Sequence, residues 1–300
     1  MIVVFGSINA DIVMNVLHLP RPDRPTILCP DYHLVAGGKG AAQAIAAAQA
    51  GASVKLFSCI GDDSFGQFSL AALKNSPVDL THVRVCPGKP TGCAQVCVDA
   101  KGETLRIIAS GVNQELRGAD VPDALLSSDT ILLLQMETLP EENWHLLERA
   151  KKRGARTILN LAPAYPVPEA VFRHIDVLVM NQQEAAALAL YLGMEIVSPT
   201  AAGRHVVATY GLTCLITLGD QGALTYSPQG TWKTHPFSVT PEDTFIGALA
   251  ASLDKGLDFS QALRRAIAIN ELIDSLASPA LLEAEIEKAL KKIPPARQIT

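Results

Sequence analysis

The sequence predicts an α/β fold: a doubly wound, mostly parallel central sheet with helices on both faces, plus a small separate β-sheet. Three observations carry this. Short, almost continuously apolar runs recur along the 300 residues, as parallel strands buried on both faces require. Ala- and Leu-rich stretches of helical period separate them, giving the β-α-β-α rhythm of a wound sheet. Two segments break that rhythm with extended, alternating character and supply material for a separate small sheet.

In chain order, Ile2–Phe5 is the first strand. Asp11–Val35 is proline-rich and extended, with no helical period. Gly40–Ala50 reads as a helix, Val54–Ile60 as a strand and Phe65–Lys74 as a helix. Thr91–Ser110 reads as a hairpin, with Asp99–Gly102 as the turn. The strands Thr130–Gln135, Thr157–Leu161, Val177–Met180 and Cys214–Leu218 alternate with helices at Glu141–Arg153, Gln183–Leu192 and Thr200–Tyr210. From Phe245 to Ala289 the pattern is mostly helical, and Pro294–Thr300 reads as a frayed tail. The whole, residues 1–300, forms one domain, with lid segments about 12–35 and 91–110 inserted in the α/β core.

Composition narrows the function classes. With 48% apolar and 18% charged residues, the chain is not disordered. Lys and Arg total 25 against 30 acids, with no dense basic run, so no nucleic-acid partner is expected. No apolar run reaches the ~18 residues of a membrane span. The first residues lack the basic n-region of a signal peptide, so a cytoplasmic protein is expected. Six cysteines without a C-x-x-C pair read as core residues, and seven histidines without ligand spacing offer no zinc site.

Several clusters can carry chemistry. Gly37-Gly38-Lys39-Gly40 precedes an Ala-rich helix, whose free N–H groups can bind an anion or hydroxyls; the alternative is a tight loop alone. Asn9 and Asp11 follow the first strand, at the carboxyl end where open α/β sheets bind ligands. They suit a polyol, or an Asx turn leaving the strand. Asn181 follows the strand Val177–Met180 with Glu184 one turn on; the pair either caps a helix or faces phosphate and a magnesium-bound water. Thr217, Gly219 and Gly222 form a turn or a nucleotide-phosphate loop, and Glu137 is a further acid at a strand end. A dinucleotide-binding dehydrogenase is disfavoured, because no G-x-G-x-x-G follows the first strand.

In this order the pieces resemble the ribokinase-like (PfkB) family of carbohydrate and nucleoside kinases, and within it the ribokinases. The carriers are Gly6–Asp11, Gly37–Gln43, Gly61–Gly66, Thr91-Gly92, Gln135–Glu137, Asn160–Ala164, Asn181–Glu184, Ile216–Gly222 and Asp243–Ala248. The resemblance implies an enzyme that transfers the ATP γ-phosphoryl group to a sugar hydroxymethyl, on ribose or a related pentose or nucleoside. It implies MgATP, a monovalent cation such as K⁺, and a homodimer paired through the β-lid. By the same resemblance Asn9, Asp11, Gly37, Gly38, Lys39 and Glu137 bind the sugar, and Asn181, Thr217, Gly219 and Gly222 the nucleotide. Glu184 serves magnesium through water, and Asp243 is the general base.

Three departures qualify the match. Ala42 stands where ribokinases carry a ribose-contacting Asn. The Gly-Ala-Gly that should precede Asp-Thr-Phe, whose N–H groups form an anion hole, is absent from Val239–Phe245. Asp243 therefore fits either the base or the upstream Asp that helps bind the monovalent cation. Near Ala268–Glu271 a Gly-containing loop is also missing. Both breaks read as excised loops, either numbering closed over absent residues or a real deletion; normal backbone spacing across them excludes the first. A truly absent Gly-Ala-Gly favours an alternative reading, a catalytically silent sugar- or nucleotide-binding relative.

Overall fold

The computed structural model describes residues 1–299 except 24–25, 235–236, 238–240 and 273–278, with backbone alone for 279–282. The first half runs β1 (Ile2–Phe5), β2 (Asn9–Asn15), β3 (His33–Gly37), α1 (Lys39–Gln49), β4 (Val54–Gly61), α2 (Ser64–Leu73), β5 (Val83–Cys86), β6 (Gly92–Val98), β7 (Thr104–Ala109) and β8 (Ile131–Leu134). The second runs α3 (Pro140–Lys152), β9 (Arg156–Asn160), α4 (Glu169–Phe172), β10 (Val177–Asn181), α5 (Gln182–Tyr191), α6 (Pro199–Tyr210), β11 (Thr213–Thr217), β12 (Ala223–Ser227) and β13 (Gly230–Lys233). It ends with α7 (Glu242–Asp254), α8 (Phe259–Leu272), α9 (Pro279–Leu290) and β14 (Arg297–Ile299).

Ten strands form one sheet in the order β14-β13-β12-β11-β10-β9-β8-β1-β4-β5. Neighbours from β5 to β11 are parallel, and β11 to β14 continue antiparallel. Alternation along β1 explains the two layers of helices. Ile2 and Val4 join α1, α7 and α8 in one core, while Val3 and Phe5 join α3, α5 and α6 in the other. Strand order reverses at β1, which lies between β4 and β8. The crevice beyond the carboxyl ends of β1 and β8 is therefore the topological switch point, where sheets of this kind bind ligands.

The lid is a four-stranded sheet in the order β3-β2-β6-β7. β2 leaves the end of β1 through Gly6–Ile8, pairs parallel with β6 and antiparallel with β3. Its root sets Asn9 opposite Gly37. The chain then turns into α1 at Gly38, whose φ of 95° suits glycine. A Cβ on Gly40 would meet the backbone of Gly6 at 2.5 Å, so the loop can lie directly over the strand end only as glycine.

Helix α7 packs against α1 equally closely, since a Cβ at Gly247 would come within 2.4 Å of the Gln43 carbonyl oxygen. That contact brings the start of α7 over the middle of α1.

One expectation is corrected. Residues 297–299 are not frayed: Arg297, Gln298 and Ile299 pair with Lys233, Trp232 and Thr231. All three are exposed, so backbone pairing to an otherwise open sheet edge is what holds them. α7 and α8 run unbroken through 242–254 and 259–272, and the Phe245 N–H donates to Pro241 O at 3.3 Å.

Candidate active site

Glu137, just beyond β8, organises the mouth of the crevice. Its Oε2 accepts from Ser7 Oγ at 2.5 Å, from Asn9 Nδ2 at 3.2 Å and from the Lys39 backbone N–H at 3.2 Å. One carboxylate oxygen thus ties together the loop after β1, the root of the lid and the start of α1. Asn9 is held from its other side, where its Oδ1 accepts from Asn113 Nδ2 at 2.8 Å.

Asp11 lies two register pairs further along β2, opposite Val35, with its side chain against Gly37. A Cβ on Gly37 would come within 2.3 Å of Asp11 Oδ1. That oxygen is buried and has no hydrogen-bond partner among the described residues. Burial, with Glu137 and Asp243 adding repulsion and Arg106 opposing it, pushes the Asp11 carboxyl up to about 6. A buried acceptor left unmade costs stability, and a hydroxyl-bearing ligand would supply its donor.

Deeper in the crevice, amides link α1 to α7. Gln43 Nε2 donates to Asp243 Oδ1 at 2.8 Å and to Asn160 Oδ1 at 3.0 Å, and Gln43 Oε1 accepts from Gln135 Nε2 at 2.8 Å. The Lys39 ammonium lies 3.6 Å from Asp243 Oδ1. Burial works against charge on Lys39, but Asp243, Glu137, Glu184 and Glu242 outweigh it and hold the ammonium above its ordinary range. Lys39 therefore reaches both halves of the site, by its backbone to Glu137 and by its side chain to Asp243.

Asn181 and Glu184 form a capping box. Asn181 Oδ1 accepts from the Glu184 N–H at 2.9 Å, and Glu184 Oε2 accepts from the Asn181 N–H at 2.8 Å. Burial pushes the Glu184 carboxyl up to about 7. Gly219 and Gly222 shape the turn after β11 with φ of 58° and 89°. Thr217 Oγ1 donates to Glu242 Oε1 at 2.6 Å.

Sequence reasoning named Asn9, Asp11, Gly37, Gly38, Lys39, Glu137 and Asp243, and the fold brings them together. It gave no role to Ser7, Gln43, Asn113, Gln135, Asn160 or Glu242. Gln43 carried a signal: it is a fully buried polar residue within a run of alanines. Asn160 and Gln135 end strands and offered no comparable cue.

Asp11 and Glu184 fix a pH dependence. Their folded values of about 6 and about 7 lie above the ordinary 3.8 and 4.5. The folded chain then holds more protons than the unfolded chain between those limits. Their contribution is complete at acid pH and is lost as pH rises through 6 and 7. The unliganded double variant Asp11→Asn/Glu184→Gln is expected to lose less stability than its parent between about pH 5 and pH 8. The difference is on the order of 1–3 kcal/mol, read from urea midpoints, and identical slopes would contradict these environments.

The described residues contain no helix long and apolar enough to cross a membrane. Comparisons with known proteins identify the family. The pfkB family carbohydrate kinase model matches residues 1–273. The ribokinase of Haemophilus influenzae is 33% identical over 273 residues, covering 87% of this chain and 88% of the relative. The ribokinase of Schizosaccharomyces pombe is 31% identical over 313 aligned positions, covering 97% and 98%. That alignment is longer than this chain, so the relative carries residues that this chain lacks. The structure of Arabidopsis thaliana ribokinase complexed with ribose and ATP superposes with a TM-score of 0.80 at 27% identity, covering 97% of this chain and 98% of that one. The chain belongs to the pfkB family of carbohydrate kinases, phosphotransferases that act on sugar hydroxyls.

Proposed function

We propose that the chain transfers the γ-phosphoryl group of ATP to the hydroxymethyl of ribose or a related pentose. The observation that carries this reading is Lys39. It joins the Glu137 cluster to Asp243 through its backbone N–H at 3.2 Å and its ammonium at 3.6 Å, so an acceptor held at one end is presented to a carboxylate at the other. Asp11, with its unpartnered oxygen, and Glu137 receive sugar hydroxyls beneath the lid. Asp243 takes the proton of the attacking hydroxyl, oriented for it by Gln43. Phosphoryl transfer needs alignment, charge neutralisation and water exclusion more than covalent chemistry, and the lid supplies the last. The Arabidopsis relative bound to ribose and ATP supports the pairing of substrates.

Asn181, Thr217, Gly219 and Gly222 border the nucleotide side. The described residues hold no set of three or more His, Cys, Asp or Glu side chains poised for a metal ion. Mg²⁺ needs no such cage, because it keeps several waters and takes one or two carboxylates plus phosphate oxygens. Glu184 fits that role, since burial and the Glu242 and Asp243 carboxylates raise its carboxyl value more than the Asn181 N–H and the Lys39 ammonium lower it, and a cation would reverse that balance. Bound there, the ion would neutralise charge on the transferring phosphoryl group. The monovalent-cation expectation points to the segment before Pro241, where 238–240 lie outside the described residues.

The outer lid strand supports pairing of two copies. β7 is exposed along its whole length, and Ile107 is 62% exposed on the same face as Leu105. An apolar sheet face of this kind seeks a partner. Ile107→Glu is expected to convert a dimer to a monomer in sedimentation, and a parent that already sediments as a monomer would count against the pairing.

The test of the function is an acceptor panel with MgATP, read by ADP release. Ribose or another pentose is expected to turn over in preference to nucleosides, because the relatives at 33% and 31% identity are ribokinases, with KM for ribose raised by the contact that Ala42 removes. Turnover confined to nucleosides would overturn the pentose assignment.

A further inference from the structure

The chain places two of its own acids at the start of α7. A helix start carries free N–H groups and partial positive charge, and so attracts phosphate. Here Glu242 and Asp243 both lie in that first turn. Glu242 also reaches back across the crevice, where the Thr217 hydroxyl donates to its Oε1 at 2.6 Å. Thr217 is itself buried at the end of β11, so this contact uses the hydroxyl that would otherwise face the nucleotide. Asp243, Glu137, Glu184 and Glu242 all act on the single ammonium of Lys39.

We propose that Glu242 is an internal competitor of the phosphoryl donor: its carboxylate occupies Thr217 and the start of α7 in the unliganded chain. It must swing away or be neutralised by the donor's accompanying cation before the phosphates settle. Glu242 thereby sets donor affinity without touching the acceptor. This rests on the nucleotide-side reading of Thr217. A carboxylate a few ångströms from a polyphosphate repels it strongly in a half-buried site.

The experiment uses the full chain and its variants Glu242→Gln and Glu242→Ala. Gln keeps the shape and the Thr217 contact but removes the charge; Ala removes both. Binding of ATP with excess Mg²⁺ is measured by calorimetry, and KM for ATP and for ribose from initial rates. Both variants are expected to bind ATP about tenfold or more tightly than the parent, with a matching fall in KM for ATP and no change in KM for ribose. Should Glu242→Ala fail to fold, Glu242→Gln carries the test through its charge alone. ATP affinity that is unchanged or weaker in the folded variants, with the parent still binding ATP, overturns the competitor role and leaves the kinase reading standing. A parent and variants that all fail to bind ATP overturn both.

Discussion

Asp243→Asn is expected to lower kcat for sugar phosphorylation by roughly 10²–10⁴-fold, the usual weight of a general base. The side chain sits where Gln43 Nε2 donates to its Oδ1 at 2.8 Å and the Lys39 ammonium lies 3.6 Å away. Asparagine keeps an oxygen for Gln43 and the same volume, so α7 should dock as before. It loses the capacity to take a proton and the charge that Lys39 balances. The signature is therefore a fall in kcat with KM for the sugar within a few-fold of the parent. A kcat within tenfold of the parent, together with an altered response to K⁺, would assign Asp243 to the cation-binding position instead.

Glu137→Ala is expected to act on both fold and acceptor. Three donors converge on one Glu137 oxygen, from Ser7, Asn9 and Lys39, and the residue is 9% exposed. Removing the acceptor leaves buried donors unmade, each worth about 1–3 kcal/mol. Water entering the vacated space recovers part of that, so a net loss of about 2–4 kcal/mol is expected in urea unfolding. The loop after β1, the lid root and the start of α1 would lose their common anchor, and kcat/KM for the sugar should fall by ~10²-fold or more. A variant as stable as its parent would show that Glu137 does not organise this junction.

The central strands were legible because they are buried on both faces. β1, β8 and β10 consist of little but aliphatic residues, and no other element type explains runs so short. The lid was legible from alternation and from the turn at Asp99–Gly102. The sheet edges were not. Val83–Cys86 and Gly230–Lys233 are short and partly exposed, and pairing with neighbours defines them more than their own composition. Arg297–Ile299 shows the limit of reading exposure from composition: polar residues near a terminus look frayed, yet a vacant edge on β13 captures them.

In the site, glycines and acids at strand ends stood out, since an exposed ligand needs close backbone approach and charge. The amides did not. Gln43, Asn113 and Asn160 gain their roles from partners about a hundred residues away in sequence or more, and local pattern carries no trace of those pairings. Asn181 and Glu184 carried both readings from the start. The capping box makes the structural one real while leaving the second Glu184 oxygen outside that box. The role proposed for Glu242 depends on α7 beginning at that residue, which local pattern did not show.

The central claim is that phosphoryl transfer survives the loss of the Gly-Ala-Gly segment, with Asp243 and Lys39 still in place. The most direct measurement incubates the full chain with MgATP and ribose and follows the sugar by mass spectrometry. The account predicts a sugar gaining one phosphoryl group, with one ADP formed per sugar phosphate and roughly 10²–10⁴-fold less of both in the same time from Asp243→Asn. Ribose and ATP that both bind, with no phosphorylated sugar formed, would contradict it and mark the chain as a silent binder built on a kinase fold.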